Sequence, residues 1–224
     1  MRHGQASFGK ENYDNLSHLG LIQSKRLNEY LQKESLKFDL CITGKLIRHQ
    51  QTKENTIKDI ISNNYEELEI DILNEFPESL WKKIAQQLSE EDKEFARISQ
   101  RVLQIEKKSK LFFKLAERII VEWKKGRTPE GEESYQNFRN RVLTFPELLE
   151  KKSKKSKSII VFSSGTPISI LLSYYSKIPE KYELNWLTSL WNTSLSILQL
   201  RKDNSYFSTI NSIPHLDKEE RSLI

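Results

Sequence analysis

Two short apolar runs, FDLCI at 38–42 and SIIVF at 158–162, each end in a small polar junction that leads into a helical pattern. Runs of this length bounded by turn residues read as buried strands. A strand that leaves through a glycine junction into a helix, twice in one chain, points to parallel strands joined by helical crossovers. The rest of the pattern agrees. Leu16, Leu19, Ile22, Leu27, Tyr30 and Leu31 form a helical stripe over 16–31, with Ser17 placed as its N-cap. A helix is predicted over 47–61 and a strand over ELEIDIL, 67–73, where polar and apolar residues alternate. Residues 79–125 read as charged and helical, with Phe112, Leu115, Ala116, Ile119, Ile120 and Trp123 on one face. Gly126–Gly131 breaks that stretch, and a helix over 134–150 follows. A further helix over 168–176 has Pro167 in its first turn, and 194–201 and 205–210 read as paired strands around Asp203-Asn204. The predicted fold class is α/β: a three-layer α/β/α sandwich around a mostly parallel sheet. One domain over 1–224 is expected, with 79–131 as a helical insertion that caps one end of the sheet.

Composition limits the class of protein. Aromatic residues make up 10% of the 224 residues, enough large side chains for a buried core. The single cysteine, Cys41, excludes a disulfide framework and a cysteine-rich zinc site. No apolar run approaches the roughly 20 residues of a membrane-spanning helix, and no signal-peptide pattern opens the chain. The expected setting is therefore the reducing cytoplasm, with no membrane partner. Thirty-six basic against 31 acidic residues leave a net charge of +5, much of it in the run KKSKKSK at 151–157. That run carries no interleaved aromatics, so no nucleic-acid partner is expected.

Glycine is scarce, 7 in all, and several mark polar junctions. Arg2-His3-Gly4-Gln5 opens the chain. Thr43-Gly44 ends one strand, with Arg48 just inside the next helix. Ser163-Ser164-Gly165-Thr166 joins the other strand to a helix whose first amides can hold an anion. In open α/β sheets ligands bind beyond the carboxyl ends of the strands. Two guanidinium forks suit phosphate oxygens, and an imidazole beside them can attack phosphorus or move a proton. His18, His49 and His215 read as surface or helix residues, and no pair has metal-ligand spacing.

Taken together, RHGQASFG with NYDNLSHLG behind it, TGKLIRHQQT at 43–52, LNEF at 73–76, GEESYQNFRNRV at 131–142 and VFSSGTPIS at 161–169 resemble the histidine phosphatase superfamily, also called phosphoglycerate mutase-like. The closest resemblance is to a bacterial branch with the RHGQASFG opening. LNWLTSLWNTSLSIL and NSIPHLD resemble that branch's closing strands. The resemblance implies a phosphomonoesterase acting through phosphohistidine on a small-molecule or peptide phosphate. His3 would be the nucleophile, Arg2 and Arg48 the phosphate clamp, and Glu75 the acid and then the base. Gly4 and Gln5 would shape the loop, and Ser164 and Gly165 would bind substrate. It implies no cofactor and no metal. Two departures accompany it. Ser164 stands where the family has its second histidine, and the usual first strand is expected to be missing, because Met1 directly precedes Arg2. Both favour the alternative of a catalytically degenerate module that binds phosphorylated ligands.

Overall fold

The computed structural model describes residues 1–7, 14–103 and 110–223. It divides into two compact units, one made of 1–75 with 142–224 and the other of 76–141. The second unit therefore begins before residue 79 and runs ten residues beyond 131.

The first unit holds the sheet. After the opening segment come α1 (His18–Lys33), β1 (Phe38–Thr43), α2 (Ile47–Thr56) and β2 (Ile61–Glu69). Ser17 caps α1 as expected, its side chain accepting from the Gly20 amide. β1 is central, with β2 on one side and β3 (Ile159–Phe162) on the other, all parallel. Leu40, Cys41, Ile42 and Thr43 of β1 lie opposite Ile159, Ile160, Val161 and Phe162 of β3. The ladder continues past β3 into the chain's opening. Arg2 bridges Ser163 in parallel, and the His3 amide donates to Ser163 O at 3.0 Å. On its far side the opening segment meets 193–194, where the Thr193 amide donates to His3 O. Met1–His3 thus run beside the end of β3, joined to it by an isolated parallel bridge. Leu27 and Leu31 of α1 pack on Cys41, Ile160 and Phe162, which explains why α1 keeps its apolar stripe. Burial pushes the Cys41 thiol up to about 12, so it behaves as a small core residue.

Two sequence expectations shift. The helix predicted over 47–61 stops at Thr56, and Asp59 turns the chain with φ at +64°. β2 then starts at Ile61, not 67, and Asp71–Leu73 forms a 3-10 turn. As an edge strand with most side chains exposed, β2 lacks the alternation that marks a half-buried strand. The helix predicted over 134–150 is two, α6 (Tyr135–Val142) and α7 (Phe145–Ser153), with Pro146 in the first turn of α7. Proline has no amide to continue a helix and restricts the residue before it, so the chain restarts there. α8 (Gly165–Tyr175) follows β3, and β4 (Leu195–Gln199) pairs antiparallel with β5 (Tyr206–Ser212), as the sequence indicates.

The second unit is helical. α3 (Glu78–Glu91), α4 (Lys93–Leu103) and α5 (Lys110–Lys124) divide the stretch read as one helical region. Trp123 is its anchor, with Phe76, Tyr135 and Phe138 edge-on around it at 5.0–5.2 Å. Its indole N–H donates to Glu133 O at 3.0 Å. Gly126 and Gly131 adopt φ of +103° and +79°, left-handed conformations that glycine takes without a Cβ penalty. Among the described residues no helix is long and apolar enough to cross a membrane.

Candidate active site

The three junctions meet at the carboxyl edge of the parallel sheet. The Gly44 amide donates to Phe162 O at 3.2 Å, and His3 pairs with Ser163, so the ends of β1, β3 and the opening segment lie side by side. His3 is buried. Its Nδ1 lies 2.6 Å from Gly4 O, and a carbonyl can only accept, so Nδ1 carries the proton. Nε2 is then the lone-pair nitrogen, and Arg48 Nε donates to it at 3.3 Å. Burial, then the charges of Arg48, Arg2 and His49, hold His3 well below the usual imidazole range, so it is neutral at physiological pH.

Several contacts fix this arrangement. The Gly4 amide donates to Thr52 Oγ1 at 2.9 Å, and Thr52 Oγ1 donates to Arg48 O at 2.6 Å, tying the His3 loop to α2. A Cβ on Gly4 would stand 2.6 Å from Gly20 O, so the loop can cross α1 only as glycine. Gln5 Oε1 accepts from Ser17 Oγ at 2.8 Å, and its amide donates to Gln23, so Gln5 shapes the loop through α1. Asn192 Nδ2 donates to His3 O at 3.2 Å.

Arg48 is held by a residue that motif reading did not single out. Asp14 Oδ1 accepts from Arg48 Nη1 at 2.6 Å, and Asp14 Oδ2 accepts from the Ile47 amide at 2.7 Å. One carboxylate thus caps the first turn of α2 and aims the guanidinium on it. The signal was present as the last residue of NYD in the opening pattern; the Phe8, Gly9, Asn12 and Tyr13 parts of that pattern lie outside the described residues. Arg2 Nη1 donates to Leu190 O and to Leu223 O, which anchors that guanidinium to two main-chain segments. A Cβ built on Gly165 would lie 3.8 Å from Arg2 Nε, so Arg2 runs past the start of α8.

Glu75 reaches the same place from another direction. Ser163 Oγ donates to Leu73 O at 2.8 Å, pinning the LNEF segment to the end of β3. Glu75 Oε2 then accepts from the Thr166 amide at 3.0 Å, in the first turn of α8. Ser164 is the N-cap of α8, yet its side chain makes no cap bond. Its Oγ instead lies 2.6 Å from His49 Nε2.

His49 is the main departure from the sequence reading, which placed it as a surface or helix residue. It lies on α2 but is fully buried, with its ring centroid 5.6 Å from that of His3. A Cβ at Gly44 would come 2.2 Å from His49 Nδ1, so glycine at the strand end makes room for the ring. Burial first, then Arg48, hold His49 well below the usual imidazole range. His215 is also largely enclosed, Nε2 at 2.9 Å from Thr193 Oγ1, and burial lowers it to about 4. His18 is exposed, as expected.

A mostly parallel sheet with a histidine, two arginines and a carboxylate at its carboxyl edge defines an α/β protein of the phosphoglycerate mutase-like fold. Residues 104–213, just under half of the chain, match the model of the histidine phosphatase superfamily (branch 1). The matched stretch contains Ser164 and Gly165; Arg2, His3, Arg48 and Glu75 lie before it. Among solved structures the chain is similar to the alpha-ribazole phosphatase of Shigella flexneri, with 19% identity and a TM-score of 0.65 over 95% of this chain and 94% of that one. It is also similar to the phosphoserine phosphatase of Entamoeba histolytica in complex with 3-phosphoglyceric acid. There identity is 17% and the TM-score 0.64, over 96% of this chain and 95% of that one. A mycobacterial glucosyl-3-phosphoglycerate phosphatase aligns with a TM-score of 0.59 at 17% identity, over 94% of this chain and 96% of that one. No curated protein sequence matches the chain.

Proposed function

We propose that the protein hydrolyses phosphomonoesters through a phosphohistidine formed on His3. The observation that carries this reading is the tautomer of His3. With Nδ1–H committed to Gly4 O, the basic nitrogen is Nε2, held beside the Arg48 guanidinium. A neutral imidazole with a fixed lone pair is a ready nucleophile, and burial keeps it neutral.

In the first step Nε2 attacks phosphorus, the P–O bond to the leaving group breaks, and Glu75 protonates the departing oxygen. In the second step Glu75 takes a proton from water, whose oxygen attacks phosphorus; the P–N bond breaks and inorganic phosphate leaves. Arg48, oriented by Asp14, and Arg2 stabilise the charge spread over the equatorial oxygens, while the first amides of α8 add fixed dipoles. Gly4, Gln5, Ser164 and Gly165 line the phosphoryl site. Small-molecule phosphates fit this reading best, since the similar solved structures are described as phosphatases of such compounds.

The test is hydrolysis of an aryl phosphate by the wild type and by His3→Ala, together with acid-labile, base-stable phosphoryl label on the quenched enzyme. The wild type should turn over and become labelled, and His3→Ala should lose more than ~10³-fold in kcat and all of the label. Turnover that survives in His3→Ala would refute the mechanism. Vanadate binding without any turnover in the wild type would support the binding-module alternative instead.

A further inference from the structure

In the steps above Ser164 only lines the site, and the buried His49 hydrogen-bonded to it has no role. The pair is an expensive feature for a core, because a polar pair taken out of water is seldom worth more than apolar side chains of the same volume. Two features of the fold accommodate it. The strand end is glycine at 44, where a Cβ would strike His49 Nδ1. Ser164 gives up the cap bond that a serine at an N-cap ordinarily makes, and Glu75 accepts from the Thr166 amide in its place. The His49 ring then lies 5.6 Å from the His3 ring and 2.6 Å from the Ser164 hydroxyl.

We propose that His49 is a positioning residue that delivers imidazolium charge to the phosphoryl group on His3 through the Ser164 hydroxyl. The proposal rests on the phosphatase reading and assigns to that site a proton that is taken up when the phosphoryl group arrives. Without a phosphoryl group, neutral His49 needs only one N–H. When an anion enters, His49 gains a second, so that Nε2–H donates to Ser164 Oγ and Ser164 O–H turns to donate to a phosphoryl oxygen. The proton comes from solvent and is returned when phosphate leaves, so the cycle balances.

The charged and titratable groups facing His49 are Arg48 on its own helix and His3, with the Met1 amino group, on the opening segment. Glu75 stands at the start of α8, next to Ser164. Burial first, then the Arg48 cation, oppose a proton on His49. An incoming dianion offsets them, so its binding raises the proton affinity of His49. The sign follows: anion affinity increases as pH falls toward the usual imidazole value of about 6.5, and more steeply than the anion's own ionisation requires.

The experiment is vanadate and phosphate binding by titration calorimetry in buffers of different ionisation enthalpy, on the wild type, His49→Gln and Ser164→Ala. Comparing wild type with variant cancels the anion's own protons. The wild type should take up close to one proton more than His49→Gln, which keeps a donor but cannot be protonated. Aryl phosphate turnover should fall by ~10²-fold in either single variant and no further in the double variant, since the two residues act as one unit. Equal proton uptake in wild type and His49→Gln, or losses that add in the double variant, would overturn the proposal. If His49→Gln fails to fold, Ser164→Ala decides by itself: retained turnover there is contrary to a relay. An active, His3-dependent wild type with unchanged uptake in the variant would sink the relay alone. A wild type that binds anions with the extra proton but never turns over would sink the phosphatase reading alone, and one that binds neither anion would overturn both.

Discussion

Replacing Arg48 with methionine separates the cost of folding from the cost of chemistry. The Arg48 side chain is 6% exposed and its partner Asp14 27%. The substitution removes a charge-assisted bond to Asp14 and the bond to His3 Nε2, contacts worth about 1.5–3 kcal/mol each when made to a charged group. Three things offset that loss. The guanidinium no longer has to be desolvated, the methionine stem fills most of its volume, and Asp14 keeps both solvent and the Ile47 amide. The net destabilisation should therefore be only about 1–2 kcal/mol, and the variant should fold. Transition-state charge loses its principal clamp, for which ~10²–10³-fold in kcat is the expected scale. Vanadate affinity should fall in parallel. A second, independent signature comes from His3. Arg48 is the largest charge holding His3 down, so its removal raises the His3 pKa although burial still acts. The protonated ring is not a nucleophile, so the acid limb of the kcat/KM profile moves to higher pH. Thermal melts, vanadate inhibition and a pH–rate profile on one preparation decide the matter. A folded Arg48→Met protein with unchanged vanadate affinity would refute the clamp.

Two further outcomes follow from the same geometry. Glu75→Gln should cost about 10²-fold on an alkyl phosphate but under about tenfold on a nitrophenyl phosphate, whose leaving oxygen needs no proton; equal losses would remove Glu75 from the acid role. His3 and His49 are held neutral, and His215 is lowered to about 4, while the unfolded chain binds protons at about 6.5. Stability from these groups is therefore complete above about 6.5 and is lost as pH falls from there toward 4, so melting temperature should drop on acidification; a flat profile between pH 7 and about 4.5 would contradict their buried neutral state.

Much of the scaffold was legible because its signals are local. The apolar runs of β1 and β3, the stripe of α1 and the glycine breaks each lie within one segment. A periodic pattern also reports burial against a sheet whichever sheet it is. The edge strand β2 was misread for the converse reason: with most of its side chains in water, nothing forces its pattern to alternate. Arg2, His3, Arg48, Glu75 and Ser164 were singled out through motifs and the resemblance those motifs carry, and the fold brings the junctions that hold them together.

What the sequence determined alone was the central strands β1 and β3 and the helices that leave them, and therefore that their junctions would gather at one edge of a parallel sheet. Tertiary structure decided the state of each side chain there. Asp14 aims Arg48 only because the opening loop passes the start of α2. His49 reads as one polar residue in a polar helix until β3 places Ser164, 115 residues away in sequence, within 2.6 Å of its ring. Hydrogen bonds and desolvation act through space, and no spacing along the chain records them.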